Sequence, residues 1–309
     1  MVNTYIIPNE FEYFEPKTIE EAVRLLATYG EKTKVIAGGT DLLFWMKMGK
    51  VQPHYLINIA RIPALRYMME NNGLHIGTLT SFREVERSRL IQKNYTALFE
   101  AARSVTSVQI KHMGTIGGNL CNASPAADSA PPLIAFGGRV KLIGEDHERI
   151  FPLEEFFVGN GETVLSPKEI LVEIQVTKRS GKTGSAFLKI GRVSADLAKI
   201  SVAVVIVRQG DICLDCKIVM GAVAKTPLRI KKAEGILIGK RFEEGLIGKV
   251  CHQVSEEIQP RSRRSTAWYK KEVAKVMVRD AINLAWRRAE KGVSRDGHSD
   301  ERKIISKSL

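Results

Sequence analysis

Early in the chain, apolar positions recur with helical period. Thr18 is followed three residues later by Glu21, a capping-box signature. Ala22, Leu25, Leu26 and Tyr29 then fall on one helical face, and Gly30 supplies a stop. A short extended piece, residues 12–14, precedes this helix. An apolar strand follows it over 34–37. Gly38 and Gly39 break that strand, Thr40 and Asp41 open a helix reaching Met48, and 54–59 reads as a second buried strand. This β-α-β-α-β order predicts a small parallel sheet.

The pattern then changes. A strand is expected over 74–79, a helix opened by the Ser81/Glu84 capping box, and a further helix over 97–104. Strands at 140–143 and 170–176 are separated by loops, which suits antiparallel pairing. The polar, glycine-rich stretch 178–184 is the best boundary along the chain. Beyond it, 186–190, 200–207 and 212–220 read as consecutive strands. Helical patterns follow at 227–236, 245–257 and 266–290. The expected division is 1–178 (about 1–60 and about 61–178) and 185–290, with a polar tail over 291–309.

Bulk composition adds limits. The 309 residues suit two or three domains at roughly 100–200 residues each. An apolar fraction of 44% with 26% charged residues is that of a folded globular chain. The longest apolar run, 200–207, is far short of the ~20 residues a membrane span needs. Residues 1–15 lack the pattern of a signal peptide. Four cysteines give no disulfide framework, so a reducing, cytoplasmic location is expected. Net charge is +13, concentrated late in Arg261–Arg264, Lys270, Lys271, Arg287 and Arg288. No long basic stripe interleaved with aromatics accompanies it, so a solvated or subunit-facing surface is favoured over nucleic acid.

The candidate chemistry lies in two glycine segments. In the first, Val35, Ile36 and Ala37 run into Gly38 and Gly39, and Thr40, Asp41 and Leu42 begin a helix. Glycine backbone can approach a ligand closely, and N–H groups at a helix start favour an anion. Neither a P-loop lysine nor a G-x-G-x-x-G fingerprint is present. The second segment is Thr115, Ile116, Gly117, Gly118 and Asn119, continuing through small and polar residues to Asp128. Such a stretch has little to bury and suits wrapping around a ligand.

The strings AGGTDLL, QIKHMGTIGGNLCNASPAADSAP and FLKIGRVSADLAKISVA resemble the FAD-binding subunits of the molybdenum hydroxylases, the xanthine dehydrogenase and carbon monoxide dehydrogenase family. The resemblance spans about Phe11 to Ala289 and includes STAWYKKEVAKVMVRDAI, similar to the family's C-terminal helix. It implies an α+β fold: an FAD-binding domain of the vanillyl-alcohol-oxidase (PCMH) type in two subdomains, then a small α+β C-terminal domain. It implies that residues 35–42 and 115–119 hold the FAD diphosphate, that Asp128 contacts FAD, and that Lys189 lies near the flavin ring. A cation there favours negative charge on the ring. Val172 would be the aliphatic ring contact, and Val105 stands where relatives carry an aromatic residue. The implied partners are a molybdopterin-containing large subunit and an iron–sulfur small subunit, with NAD or another carrier as acceptor. The alternative is a standalone FAD-dependent oxidoreductase of the same fold. Relatives of the 4-hydroxybenzoyl-CoA reductase type carry an inserted iron–sulfur cluster, and no such insertion is seen.

Two other signals are set aside. Cys213 and Cys216 form a C-x-x-C in an expected strand, where residues three apart face opposite sides. The six histidines show no metal-ligand spacing. Arg192 and Asp196 are expected to pair and position their loop.

Overall fold

The computed structural model describes residues 7, 9–179, 181–194, 196–262 and 265–291. The polar tail beyond Lys291, the start of the residues read for a signal peptide, and Arg263 and Arg264 lie outside the described residues.

The first unit is β1 (Glu12–Phe14), α1 (Ile19–Tyr29), β2 (Thr33–Ile36), α2 (Leu42–Lys47) and β3 (Tyr55–Asn58). Its sheet has the order β1-β3-β2 with both pairs parallel, as the pattern predicts. Thr18 caps α1 by accepting from the Glu21 N–H at 3.1 Å. The Glu21 carboxylate reaches the Lys17 N–H, at 2.6 Å, instead of closing the box on Thr18. Ala22, Val23 and Leu26 bury the inner face of α1.

Next come β4 (Met68–Glu70), β5 (Gly73–Gly77), α3 (Phe82–Arg87), α4 (Arg89–Asn94), α5 (Thr96–Ser104), α6 (Val108–Met113), α7 (Ile116–Cys121) and α8 (Ala130–Ala135). They are followed by β6 (Arg139–Ile143), β7 (Glu148–Pro152), β8 (Phe157–Gly159), β9 (Glu162–Thr163) and β10 (Ile170–Thr177). The sheet β4-β5-β10-β6-β7 is antiparallel throughout. Ser81 and Glu84 form a complete capping box on α3.

The remainder is β11 (Lys182–Ile190), β12 (Ile200–Gln209), β13 (Ile212–Gly221), β14 (Leu228–Arg229), α9 (Lys231–Leu237), α10 (Glu244–Glu257) and α11 (Ala267–Lys291). Its antiparallel sheet runs β11-β12-β13-β14. Residues 227–230, expected in a helix, instead supply the edge strand β14. The boundary stretch is also shorter than expected, because Lys182, Thr183 and Gly184 belong to β11. Gly184 is there for packing: a Cβ on it would lie 2.0 Å from the Ala285 oxygen of α11.

Both faces of this sheet are covered. Val202, Val204 and Ile206 face α9–α11, while Ala203 and Val205 join the core of the preceding unit with Phe187 and Val219. That explains why 200–207 is apolar at every position except Ser201.

A register shift between Val207 and Arg208 corrects one reading of β13. Ile206 faces Cys216 and Arg208 faces Cys213, so Leu214 is the extra residue of a bulge. The bulge turns Cys213 and Cys216 onto the same face, where both lie in one core cluster and Cys213 Sγ donates to the Asp215 carbonyl at 3.6 Å. Simple strand alternation had put them on opposite faces. The helix α11 is fixed by Arg288, which reaches Glu100 of α5 at 2.6 Å and the Ser185 carbonyl at 2.7 Å.

Candidate functional site

The first glycine segment leaves β2 and enters α2. Gly39 has φ +70°, a conformation that β-carbon-bearing residues rarely adopt. Gly38 is pressed against the backbone before the second segment: a Cβ on it would lie 1.7 Å from the Met113 oxygen and 3.2 Å from the Gly114 Cα. Gly38 is thus brought against the residues that lead directly into the second segment, more than seventy positions away in the sequence. Among the described residues, no acceptor takes the N–H groups of Gly38, Gly39, Thr40 or Asp41. Gly38 and Gly39 are half-buried while Thr40 and Asp41 are exposed, so this row of unpartnered donors at a helix start is open to an anionic ligand. Asp41 lies beside these donors, and loss of water around it raises its carboxyl above the ordinary range.

The second segment differs from the expected turn. It is the first turn of α7, with Thr115 as N-cap accepting from the Gly118 N–H at 3.0 Å. Ile116 N–H donates to the Thr80 carbonyl, Gly117 N–H to the Thr78 carbonyl and Asn119 N–H to the Thr115 carbonyl. Its donors are thus consumed internally. Its glycines serve close approach: a Cβ on Gly117 would lie 1.6 Å from Thr78 Oγ1. Thr78 and Thr80 were missed in the sequence. Their only local signal was a polar pair following a strand.

Asn119 Oδ1 accepts from Ser129 Oγ at 2.6 Å and from its N–H at 3.3 Å. This closes the loop 119–129 and positions Asp128. Asp128 and Lys189, foreseen as separate contacts, form a pair: Nζ to Oδ2 is 2.6 Å, with side chains 8% and 10% exposed. Burial raises the Asp128 carboxyl, and Lys189 opposes that shift. Asp128 Oδ1 is buried with no hydrogen-bond partner, as is the hydroxyl of Ser201, which stands opposite Lys189 on β12. A cofactor edge bearing donors would satisfy both atoms.

The loop is also tied to the C-terminal sheet. Ala222, at φ +61°, donates its N–H to the Pro125 carbonyl at 2.7 Å, and Lys270 Nζ donates to the Ala222 carbonyl at 2.9 Å. Lys270 lies in the segment STAWYKK and was read in the sequence only as part of the late basic cluster.

Val172 stands differently from the other expected residues. Its side chain is 5% exposed, inside the core with Leu79 and Ile170, and its carbonyl accepts from the Thr78 N–H. It supports the segment beneath Gly117 through its backbone. Val105 packs half-buried against the main core. Arg192 and Asp196 pair at 3.4 Å. Among the described residues, no group of three or more His, Cys, Asp or Glu side chains could hold a metal ion. None of the described helices is long and apolar enough to cross a membrane.

Residues 9–178 match the family model of the FAD binding domain in molybdopterin dehydrogenase, and residues 185–285 match that of the CO dehydrogenase flavoprotein C-terminal domain. The chain is 35% identical to the carbon monoxide dehydrogenase medium chain of Hydrogenophaga pseudoflava, over 92% of this chain and 99% of that protein. It is 32% identical to the nicotinate dehydrogenase FAD-subunit of Eubacterium barkeri, over 85% of this chain and 92% of that one. The solved carbon monoxide dehydrogenase from Hydrogenophaga pseudoflava superposes with a TM-score of 0.88, covering 92% of this chain and 99% of that chain. With both halves matched, the chain belongs to the molybdopterin dehydrogenase flavoproteins, the FAD-carrying subunits of multisubunit molybdenum hydroxylases.

Proposed function

We propose that this chain relays electrons through FAD, from the iron–sulfur clusters of a small partner subunit to NAD or another soluble carrier. A large partner carrying molybdopterin would oxidise the substrate. FAD joins one-electron and two-electron couples. In this reading the N–H groups of Gly38, Gly39, Thr40 and Asp41 hold the diphosphate, with Val35, Ile36, Ala37 and Leu42 forming the strand and helix that aim them. Thr115, Ile116, Gly117, Gly118 and Asn119 form the facing wall. Asp128 offers its unpartnered Oδ1 to the cofactor and holds Lys189, which favours negative charge on the ring. Val172 contributes from behind, through Thr78.

The observation that carries this reading is the contact of Gly38 with the Met113 carbonyl beside the free N–H row. The division at 1–178 and 185–290 belongs to the same reading, as does a cytoplasmic location. In this reading the site residues hold the cofactor, and no substrate acid or base is asked of them. The test is purification of the chain with its bound partners, followed by metal analysis and assay of each part. A relay subunit co-purifies with molybdenum and iron, and alone gives no substrate-dependent bleaching of its yellow absorbance. Bleaching by substrate in the isolated chain would instead mark a standalone oxidoreductase.

A further inference from the structure

At the opposite end of α8 from Asp128 lies a cleft of ≈ 380 Å³, walled by both halves of the chain. Gly137, Arg139, Glu154, Glu155 and Thr177 line it from one side, and Lys217, Arg229 and Lys231 from the other. Most of its cations are already matched. Arg229 is held by Glu234 at 2.8 Å, and Lys231 by Glu154 at 2.7 Å. Neighbouring Arg179 pairs with Asp215 at 2.8 Å.

Two cations are not matched. Lys217 has no hydrogen bond or ion pair among the described residues, and its half-buried Nζ comes within 2.9 Å of where a Cβ on Gly137 would stand. Arg139 donates to the Ile150 carbonyl at 3.1 Å but meets no carboxylate. Burial, and then the charges of Arg179 and Arg229, lower the Lys217 pKa, while the more weakly acting carboxylates Asp215 and Glu234 oppose that shift. An anion at this amine would relieve that repulsion. Glu155 and Arg139 are both exposed and screened by solvent, so the half-buried Lys217 is the stronger anchor.

We propose that this cleft binds a phosphoryl dianion, free or as a small phosphate monoester, between Lys217 and Arg139. Lys217 and Arg139 have no carboxylate in contact, so their N–H groups are open to an oxyanion, and the cleft has room for more than a bare phosphate. Lys217 is four residues along β13 from Gly221, roughly 13 Å at the usual strand rise. The cleft is therefore separate from the Asp128–Lys189 pair, and the proposal stands without the flavin reading.

The test is thermal stabilisation of the purified complex by inorganic phosphate and by ribose 5-phosphate, each against chloride at equal ionic strength. The expected result is a saturable rise in Tm, with phosphate 31P lines broadened by the wild-type complex. Lys217→Met should weaken the effect about tenfold, as loss of one charge-assisted contact does, and Lys93→Met should not change it. If Lys217→Met does not fold, Arg139→Met carries the test, with a severalfold loss expected. A stronger response to one of the two probes identifies the source. A response that merely follows ionic strength, or is equal in wild type and the cleft variants, would overturn the proposal.

Discussion

Gly38 has no room for a methyl group. A Cβ 1.7 Å from a backbone oxygen cannot be absorbed by rotating a side chain, so the strand or α6 must move. Gly38→Ala should cost about 1–3 kcal/mol, the usual range for overpacking, and should separate the two glycine segments. The expected outcome is a lower Tm together with reduced flavin content. Unchanged values for both would show that the contact is unimportant. Asp128 makes a different prediction. Asp128→Asn leaves the buried Lys189 ammonium unmatched, and breaking a buried pair costs about 3–5 kcal/mol. Lys189→Met in the same chain should recover part of the lost Tm while leaving the flavin potential shifted, because both charges are then gone. A double variant no more stable than Asp128→Asn would refute this coupling.

At the scale of elements, the apolar periodicity carried most of the fold. The β-α-β-α-β unit, the Ser81 capping box and the long buried strand β12 were all legible, because each depends on neighbours a few residues away. Failures came where a partner distant in the chain decided the outcome. The bulge at Leu214 arises from pairing with β12, so the facing of Cys213 and Cys216 could not be read from spacing. The glycines of α7 looked like an anion cradle, yet Thr78 and Thr80 consume the donors beside them. Only the first glycine segment keeps its donors free. Similarly, Asp128 and Lys189 were named singly, and their ion pair emerged only when β11 was folded against the loop 119–129.

The loop before β10 gives a pH prediction at the same scale. Glu169, 1% exposed at its side chain, accepts from Arg149 at 2.7 Å, from the Ser166 N–H at 2.8 Å and from His147 at 2.9 Å. Burial alone would raise its carboxyl, but these contacts outweigh it and hold the pKa below 4.5. A depressed folded pKa means stability that is present above pH 4.5 and lost as pH falls through the folded value. Glu169→Gln should cost about 1–3 kcal/mol at neutral pH, and its deficit should shrink below pH 4.5. A deficit that stays constant with pH in thermal melts would refute the assignment.

Across the whole molecule, the loop 119–129, proposed above to face the flavin, is anchored from two directions. Asn119 at the end of the second glycine segment closes it onto Ser129 on one side, while Lys189, Ala222 and Lys270 tie it to the C-terminal sheet on the other. In the proposed reading the site draws on both halves, although the glycine segments lie wholly in the first half. It also sets the most direct test of the central claim, which is flavin stoichiometry measured by visible absorbance on the purified complex. Wild type should carry about one FAD per chain, and Gly39→Val, forced to φ +70° with a β-branched side chain, should carry little while keeping its far-ultraviolet dichroism. Full flavin occupancy in folded Gly39→Val, or a wild-type complex without flavin absorbance, would contradict the account.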